Sequence, residues 1–347
     1  MTKQKIKVLF FANFPTKDKR SVGGATVLGK RIFDFVSKQP QLIVKHYQIR
    51  YFWRSKFQII DYLIWLFRFP FVISGYDVVS FHATKDFHFS VGPFLWLWAK
   101  LFKKKIIYHL FGGVFNKRYE KKPLSVRFLL NKTILKSDYF VVETLALQSY
   151  FQQKGYHNIL WLPNSREPVK NIKLDKNFAK KLVFFSRIVP EKGVNELIQT
   201  AALLPPSYQL DVYGPLDPNY YKQNPFKGTK VNYKGVIHPD QVISKLLNYD
   251  ILLLPTYYSG EGYPGIIIEA LSAGIPVITT DCCVMSEIIT DGYNGFLVPV
   301  KNPEAIVEAV LRFNDDNYQT FRKNALQSFD KFNSDKVFNK IVKAYLE

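Results

Sequence analysis

Hydrophobic positions in the first 163 residues form short apolar runs, separated by segments long enough to be helices. Short runs rich in Val, Ile, Phe and Tyr are typical of strands buried in parallel sheets. The predicted strands are Lys7–Phe11, Ile43–Tyr47, Val78–Phe81, Lys105–His109, Tyr139–Val142 and Ile159–Leu162. Strands that alternate with helices indicate βαβ units, so we predict a parallel α/β sheet in this part of the chain.

The same alternation returns after a polar, proline-containing segment at residues 164–180, which we predict to be a linker between two domains. The pattern predicts a strand, a loop and a helix from Lys181, followed by strands at Tyr208–Gly214, Ile251–Leu254 and Pro276–Thr279. Three helices are predicted after Asn302, and the last of them is Lys336–Leu346. This half therefore predicts a second α/β domain.

Residues 251–281 combine a buried-type strand, a loop rich in Gly, Pro and Tyr, a helix and a second apolar strand. Pro264 suits the first helical turn, because its missing N–H has no helical partner there. The amides from Gly265 to Ile267 are expected to point out of the helix start with the positive end of the helix dipole, and Gly265 lets a ligand approach the backbone closely. We predict that this helix end binds a phosphate group.

Charged residues flank this predicted phosphate site. Glu261 lies in the loop before the helix and Glu269 lies one turn inside it, so the two carboxylates can reach different parts of one ligand. Either could be a solvated residue, but the apolar run around Glu269 argues against a freely solvated face. Arg187 and Lys192 lie in the loop after another strand, where a planar guanidinium and a point charge suit a diphosphate.

A chain of 347 residues with 47% hydrophobic residues is long enough for about two domains with buried cores. Its two cysteines, Cys282 and Cys283, are adjacent and provide no disulfide framework, so a reducing, cytoplasmic location is expected. We expect no signal peptide and no membrane-spanning helix, because the start of the sequence resembles a strand and no apolar run is long enough to span a membrane. The Asp315–Asp316 pair is expected in a polar turn, and no metal-ligand spacing of Cys and His occurs, so no metal or other cofactor is predicted.

The net charge of +20 is concentrated in the first half of the chain. Residues 1–163 contain 27 lysines and arginines against 8 aspartates and glutamates, whereas residues 164–347 contain 21 against 20. Nucleic acid, an anionic membrane surface or an acidic substrate could each exploit such a charge. Two basic aromatic stretches, Tyr51–Pro70 and Phe94–Lys105, fit either helices packed on the sheet or a face that binds the membrane, and the pattern alone leaves both interpretations open.

Glu261 and Glu269, with seven residues between them, and the helix–strand sequence EALSAGIPVI that begins at Glu269 together resemble the retaining glycosyltransferases of family 4. The resemblance implies an α/β fold of the GT-B class, with two Rossmann-like domains that face each other across a cleft and a C-terminal helix that crosses back to the first domain. The implied acceptor-binding domain is residues 1–163 with about 334–347. The implied domain for the nucleotide sugar is residues 181–333.

The resemblance also implies that residues 231–240 form a loop around the nucleotide base. It implies roles for individual residues as well. Glu261 and His109 are the expected catalytic residues, with Glu261 stabilising the positive sugar ring and His109 contacting the sugar, while Glu269 is expected to bind the ribose. The expected donor-binding residues are Gly24, Arg187, Lys192, Gly214, Ile237, Tyr263, Pro264, Gly265, Ile266 and Glu269. His82 is interpreted as structural. The chain departs from the family pattern at Leu110, where Gly or Thr is common, and at Ser165, where Gly is usual.

The predicted function is retaining transfer of a sugar from a nucleotide diphosphate sugar to a glycan or polyprenyl-linked acceptor, in cell-surface polysaccharide synthesis. The predicted location is the cytoplasm, with peripheral attachment to the inner face of the cell membrane as a further expectation; no nucleic acid partner is expected. Three alternatives remain at this point: a noncatalytic nucleotide- or polyanion-binding protein of the same architecture, an epimerase, and a phosphorylase.

Overall fold

The computed structural model describes residues 4–18, 21, 23–53, 57–172 and 175–347. The chain divides into two compact units: unit 1 comprises Met1–Pro163 and Asp335–Glu347, and unit 2 comprises Asn164–Ser334. Within the described residues, each unit contains a six-stranded sheet in which the paired strands are parallel. Residues 164–180, predicted as a linker, fall within unit 2, where Arg166 forms an isolated parallel bridge with Asn333.

The strands cover most of the apolar runs that the sequence pattern singles out. In chain order they are β1 (Ile6–Ala12), β2 (Leu42–Gln48), β3 (Val78–Ala83), β4 (Lys105–Leu110), β5 (Tyr139–Val142), β6 (Ile159–Trp161), β7 (Lys181–Phe185), β8 (Gln209–Tyr213), β9 (Val231–Tyr233), β10 (Ile251–Leu254), β11 (Val277–Thr280) and β12 (Gly295–Val298). The six strands predicted in unit 1 are confirmed, with small shifts at their ends.

Helices connect most consecutive strands, as the alternating pattern predicts for parallel sheets, but among the described residues no α-helix lies between β6 and β7, β8 and β9, or β11 and β12. They are α1 (Gly24–Val36), α2 (Gln58–Ile73), α3 (Lys85–His88), α4 (Gly92–Leu101), α5 (Phe115–Glu120), α6 (Leu124–Lys132), α7 (Leu145–Gln153), α8 (Val194–Leu203), α9 (Val242–Leu246), α10 (Gly265–Ser272), α11 (Pro303–Leu311), α12 (Asp315–Phe329) and α13 (Ser334–Leu346). The three helices predicted after Asn302 are confirmed by α11, α12 and α13.

The sheet of unit 1 has the strand order β2-β1-β3-β4-β5-β6 and is covered on both faces. Alternate residues of β1 enter different apolar clusters, because side chains along a strand point to opposite sides. Leu9 and Phe11 pack in the cluster that contains residues of α2 and α4. Val8 and Phe10 pack in the cluster that contains residues of α1 and α13. The C-terminal helix is therefore part of the core of unit 1.

The sheet of unit 2 has the order β12-β11-β10-β7-β8-β9. Two of its strands differ from the prediction: β9 lies inside the segment predicted to be a loop, and β12 was not predicted. Both lie at the edges of the sheet. The strand β9 has only three residues, one of them a polar asparagine, and β12 begins with a glycine, so each has a weaker strand pattern than the central strands. The sequence pattern is weakest for such edge strands.

Two local predictions are wrong in detail. The Asp315–Asp316 pair begins α12 and does not lie in a turn, because the side chain of Asn314 accepts the N–H of Asn317 at 3.0 Å and caps the helix. Pro264 lies one position before α10, as its N-cap, with an extended ψ of 126°. The helix begins at Gly265, so proline ends the loop and does not form the first turn.

Candidate functional site

The strand order of unit 2 reverses direction between β7 and β10. From β7 the chain runs outward through β8 and β9, and it then returns to place β10 on the other side of β7. Ligands of open α/β sheets bind outside the carboxyl ends of the strands at such a switch point. The register of Ile251 with Leu182 shows that the two strands run side by side. The loops after β7 and β10, which carry the predicted site residues of this unit, therefore meet there.

Lys192 and Glu261 lie together at this switch point. The ammonium group of Lys192 forms an ion pair with Oε2 of Glu261, and the hydroxyl of Thr256 donates to the same oxygen at 3.1 Å. Lys192 is 8% exposed, so the pair is largely removed from water. The two residues were predicted to hold different parts of a ligand, and the structure brings their charged groups into direct contact. Both groups are thus held in place by the protein at the point where the ligand is expected.

Glycines at the ends of β7 and β8 allow this close arrangement. Gly193, which follows Lys192, has a φ of 83°, and a Cβ there would lie 2.4 Å from the carbonyl oxygen of Pro255. Gly214 has a φ of 142°, and a Cβ there would lie 1.7 Å from the carbonyl oxygen of Ser186. A side chain at either position would force the strand ends apart. Arg187 lies directly after Ser186 with an exposed side chain, so it is available to an anion in solution.

The N-terminus of α10 lies at the end of the loop that carries Glu261. The N–H groups of Ile267 and Ile268 donate to the carbonyl oxygen of Pro264 at 3.1 and 3.4 Å. The amides of Gly265 and Ile266 precede them and have no acceptor within the helix. Three amides, from Gly265 to Ile267, were predicted to point out of the helix. Only the first two can do so, because the amide of Ile267 already donates to Pro264. The remaining two amides and the helix dipole still favour an anion.

Arg166 is a residue of this site that the sequence prediction missed. Its Nε donates to Oε1 of Glu269 at 2.5 Å, and its Nη1 donates to Oδ1 of Asn164 at 2.8 Å. A Cβ on Gly265 would lie 1.8 Å from Nη2 of Arg166, so the guanidinium lies against the start of α10. A cation at a helix N-terminus opposes the helix dipole, and its ion pair with Glu269 offsets that cost. The polar segment around Arg166 gave no sequence signal for this position.

The other predicted residues of unit 2 surround the same strand ends. Tyr263 is buried, accepts the side-chain N–H of Asn164 at its carbonyl oxygen at 3.0 Å, and donates its hydroxyl to Glu287. Ile237 is half-buried in the loop after β9. That loop is tied to Gly214, whose N–H donates to the carbonyl oxygen of Gly235 at 2.9 Å. Tyr263 supports the loop before α10, and Ile237 follows the strand at the edge.

In unit 1, Gly24 lies after β1 and His109 lies within β4 of the other sheet. Gly24 is the first residue of α1, the helix after β1, and a Cβ there would meet no described residue within 4 Å. His109 lies near the end of β4, opposite His82 of β3 in the parallel register, and both side chains are buried.

A chain of buried hydrogen bonds ends at His109. The hydroxyl of Tyr345 donates to Oγ of Ser80 at 2.9 Å. Oγ of Ser80 lies 2.8 Å from Nε2 of His82, and Nδ1 of His82 lies 3.1 Å from Nδ1 of His109. Since Tyr345 donates to Ser80, the serine hydroxyl donates its own hydrogen to Nε2 of His82. A neutral His82 therefore carries its hydrogen on Nδ1. His82 donates to Nδ1 of His109, so a neutral His109 carries its hydrogen on Nε2.

The Nε2 atom of His109 is buried and has no hydrogen-bond partner among the described residues. Burial lowers the pKa of His109 to about 3 and lowers the pKa of His82 well below its usual value, since neither imidazolium would be solvated. Both rings are therefore neutral near pH 7. His109 presents an N–H donor that no described residue satisfies, and this is a costly arrangement unless a ligand uses it.

Glu143 is a second functional candidate that the sequence prediction missed. It follows β5, and its Oε2 accepts the N–H of Gly112 at 2.6 Å, in the loop after His109. Burial raises its pKa from 4.5 to about 7. A glutamate directly after the apolar run YFVV is a visible signal, because polar residues at the carboxyl ends of parallel strands face the ligand edge of the sheet. Glu143 therefore exchanges a proton near neutral pH beside a glycine-rich loop.

Neither a metal site nor a membrane span is found in the described ranges. No set of three His, Cys, Asp or Glu side chains in that part of the chain is grouped so that it could bind a metal ion. None of the described helices combines the length and the hydrophobicity that are needed to span a bilayer.

Comparison with known proteins gives a family match for unit 2. Residues 165–328 match the family model described as glycosyl transferases group 1. Over 319 residues the chain is 22% identical to an uncharacterised glycosyltransferase of Methanocaldococcus jannaschii, and the alignment covers 81% of this chain and 79% of that protein. A second relative is the N,N'-diacetylbacillosaminyl-diphospho-undecaprenol alpha-1,3-N-acetylgalactosaminyltransferase of Campylobacter jejuni, to which the chain is 26% identical over 180 residues. That alignment covers 51% of this chain and 46% of the relative.

The fold is similar to that of a solved structure, Anabaena HepE in complex with UDP. The TM-score is 0.73 at 17% sequence identity, and the match covers 97% of this chain and 99% of the other. Together with the two parallel six-stranded sheets, this likeness confirms the predicted α/β fold of the GT-B class.

Proposed function

We propose, from the premise that the protein is a glycosyltransferase, that unit 2 binds a nucleoside diphosphate sugar and that the enzyme transfers the sugar with retention of its anomeric configuration. The observation that carries the proposal is the pairing of Lys192 with Glu261 beside the start of α10. The cation and the helix amides suit the diphosphate, on which negative charge grows as it leaves. The carboxylate suits the sugar, which becomes positively charged.

The diphosphate is proposed to bind where positive charge collects. Lys192 and the exposed Arg187 follow the same strand, and the amides of Gly265 and Ile266 open the helix after the neighbouring strand β10. As the bond between C1 and the phosphate oxygen breaks, negative charge grows on the diphosphate, and preorganised donors stabilise it. Lys192 would then exchange its contact with Glu261 for a contact with the phosphate.

Glu261 is proposed to act on the sugar once Lys192 turns to the diphosphate. A carboxylate near C1 stabilises the oxocarbenium-like ring and accepts hydrogen bonds from sugar hydroxyls. In the proposed front-face reaction, the acceptor oxygen bonds to C1 on the side from which the diphosphate leaves. The acceptor proton passes to the departing phosphate oxygen, so the step needs no covalent enzyme intermediate and no further reactant.

Glu269 is proposed to bind the ribose, and Arg166 holds its carboxylate ready. His109 is proposed to donate its Nε2 hydrogen to a sugar hydroxyl. Because this nitrogen is buried, contact with a sugar requires a local rearrangement, and the ring of Phe111, whose centroid lies 4.4 Å from that of His109, is the nearest aromatic group that could move.

A lipid-linked acceptor and a place at the inner face of the cell membrane complete the proposal. The relative from Campylobacter jejuni is named for a diphospho-undecaprenol substrate, and the first 163 residues carry a charge balance of +19. Positive charge favours the anionic surface of the cytoplasmic leaflet. A role in building cell-surface polysaccharide follows from such an acceptor.

The direct test is a screen of nucleotide sugars by thermal shift, starting with UDP-sugars since the structural relative binds UDP. Each stabilising donor is then incubated with polyprenyl diphosphate-linked and free sugar acceptors, and the product is analysed by NMR. The proposal predicts transfer with the anomeric configuration of the donor. An inverted product would overturn the retaining mechanism, and binding without any transfer would favour a noncatalytic protein.

A further inference from the structure

Helix α2 exposes an unusual amount of apolar surface. Its buried residues Asp61, Trp65, Phe69 and Ile73 follow each other at intervals of four and form one stripe against the sheet. Most of the rest of the helix is also apolar, although it faces outward. The large exposed residues are Ile59, Ile60, Leu63, Ile64, Phe67 and Phe71. A helix that is apolar on all sides is normally covered on all sides, so the outward face of α2 is built for a nonaqueous environment.

The apolar surface continues onto α4 and α6. Phe94 and Leu101 of α4 are 48% and 70% exposed, and Leu124 and Phe128 of α6 are 75% and 64% exposed. We call the outward apolar residues of α2, α4 and α6 the apolar face of unit 1. The largest exposed fraction on this face is that of Phe71, at 84%. Single exposed apolar residues are ordinary, but a face formed by three helices indicates a binding surface.

A groove of about 320 Å³ opens in this face where the three helices meet. Its walls include Leu63 and Leu66 of α2, Phe94 of α4, and Val126 and Leu129 of α6. The volume lies within the range of small-molecule pockets, and the walls are almost entirely apolar. Such a groove fits a hydrocarbon chain.

Positive charge adjoins one end of the groove. Phe89 lines the groove and also lines a second depression, formed with Asp86, Arg118, Lys121 and Lys122. The ammonium group of Lys122 lies 4.7 Å from the centre of the Phe89 ring. Three cations against one carboxylate give this depression a net positive charge. The shared phenylalanine thus joins an apolar groove to a cationic pocket, and this combination matches the two ends of an anionic lipid.

We propose that the apolar face docks on an anionic lipid bilayer, with one acyl chain of a phospholipid in the groove and its phosphate at Arg118, Lys121 and Lys122. Charge complementarity selects this occupant, because residues 1–163 carry a balance of +19 and the phosphate pocket continues that charge to the edge of the face. The cores of protein–protein interfaces, in contrast, are depleted of lysine.

This inference names the residues that would attach the protein to the membrane in the proposed function. Only the biological purpose of the attachment rests on that function; lipid binding itself does not. It is tested with the full-length protein and lipid vesicles, without sugar donor or acceptor. Flotation is compared between vesicles of phosphatidylcholine with phosphatidylglycerol and vesicles of phosphatidylcholine alone. The expected result is binding to the anionic vesicles that weakens as the salt concentration rises.

Two sets of variants separate the apolar and the cationic contributions. The double variant Phe67→Ser and Phe71→Ser changes highly exposed side chains, so folding is preserved, and vesicle binding is expected to fall by about tenfold or more. The double variant Lys121→Ala and Lys122→Ala is expected to lose the preference for anionic lipid. Leu311→Ser and Lys323→Ala are the matched controls, since they remove an exposed apolar residue and an exposed lysine from unit 2.

Each result decides the proposal. Equal flotation of the Phe67 and Phe71 double variant and the wild type would overturn it, as would equal binding of the wild type to neutral and anionic vesicles. A dimer that hides this face, seen by analytical ultracentrifugation and abolished by the same variant, would identify a second copy as the occupant instead. UDP affinity of these variants should equal that of the wild type, which separates a failure of membrane docking from a failure of the proposed sugar transfer.

Discussion

At the scale of single residues, the ion pair of Lys192 with Glu261 is the central feature of the protein. The sequence predicted both residues as members of one site, because each follows an apolar strand that ends in a glycine-containing loop. It could not predict their contact, because that contact depends on the strand order, which places β10 beside β7. Arg166 was missed for the same reason, since its partner Glu269 lies 103 positions later in the chain.

Replacing Lys192 with alanine should reduce both donor affinity and stability. The change removes the proposed phosphate contact and leaves the carboxylate of Glu261 without its cation in a site that is largely closed to water. Leaving one member of a buried pair uncompensated costs about 3 kcal/mol. Denaturant unfolding measures this cost, and the double change Lys192→Ala with Glu261→Gln should recover most of the stability without recovering activity. Full activity of the single variant would contradict the role of Lys192.

Glu143 should make stability depend on pH near neutrality. Its pKa is about 7 in the folded protein against an ordinary value of 4.5, so the folded state holds a proton that the unfolded state releases between these values. The contribution of Glu143 to stability is present below pH 4.5 and is lost as the pH rises through 7. Glu143→Gln should raise the melting temperature at pH 8 by a few degrees and leave it nearly unchanged at pH 4. An equal shift at both pH values would show that Glu143 does not titrate in this range.

At the scale of secondary structure elements, the central strands were predictable and the edges were not. Strands such as β5 and β10 are continuous apolar runs, so their bounds could be predicted from the sequence to the residue. The edge strand β9 has only three residues and β12 begins with a glycine, so the sequence pattern marks them less clearly than the central strands. The start of α10 was predicted one residue too early, because proline suits both the N-cap and the first turn. These errors do not change which loops carry the predicted site residues.

The helix α13 is connected to His109 by hydrogen bonds and also forms part of the core of unit 1. Its Tyr345 starts the hydrogen-bond chain through Ser80 and His82 that leaves the hydrogen of His109 on Nε2. Nothing in the sequence pattern connects a tyrosine in the last turn of the chain with a histidine on β4. The connection appears only when the last helix packs against the first sheet.

Tyr345→Phe should therefore reduce the turnover number by about tenfold while leaving UDP affinity unchanged. The variant keeps the packing of the ring but removes the hydroxyl that orients Ser80, so the position of the hydrogen on His109 is no longer defined. Nitrogen-15 NMR of the histidine side chains would report the tautomer directly. The matched control is Tyr139→Phe, which removes an exposed tyrosine hydroxyl from the same unit. An unchanged tautomer in Tyr345→Phe would contradict the proposed orientation.

At the scale of the whole molecule, charge and chemistry are divided between the two units. Unit 2 contains the family match and the paired residues of the proposed donor site, and residues 164–347 carry a charge balance of only +1. Unit 1 contains most of the positive charge and the apolar face. The uneven charge was visible in the sequence, but the two interpretations of the basic aromatic stretches could not be separated there. The structure shows that α2 and α4 each pack one side on the sheet and expose apolar residues on the other side.

The most direct test of the central claim is the affinity of the protein for UDP, measured by isothermal titration calorimetry. Wild type is compared with Lys192→Ala, with Glu269→Ala and with the matched control Lys323→Ala. If the switch point of unit 2 binds a nucleoside diphosphate, UDP binds to the wild type and the control equally, and each site variant weakens binding by about tenfold or more. Equal UDP affinity in all four proteins would contradict the account.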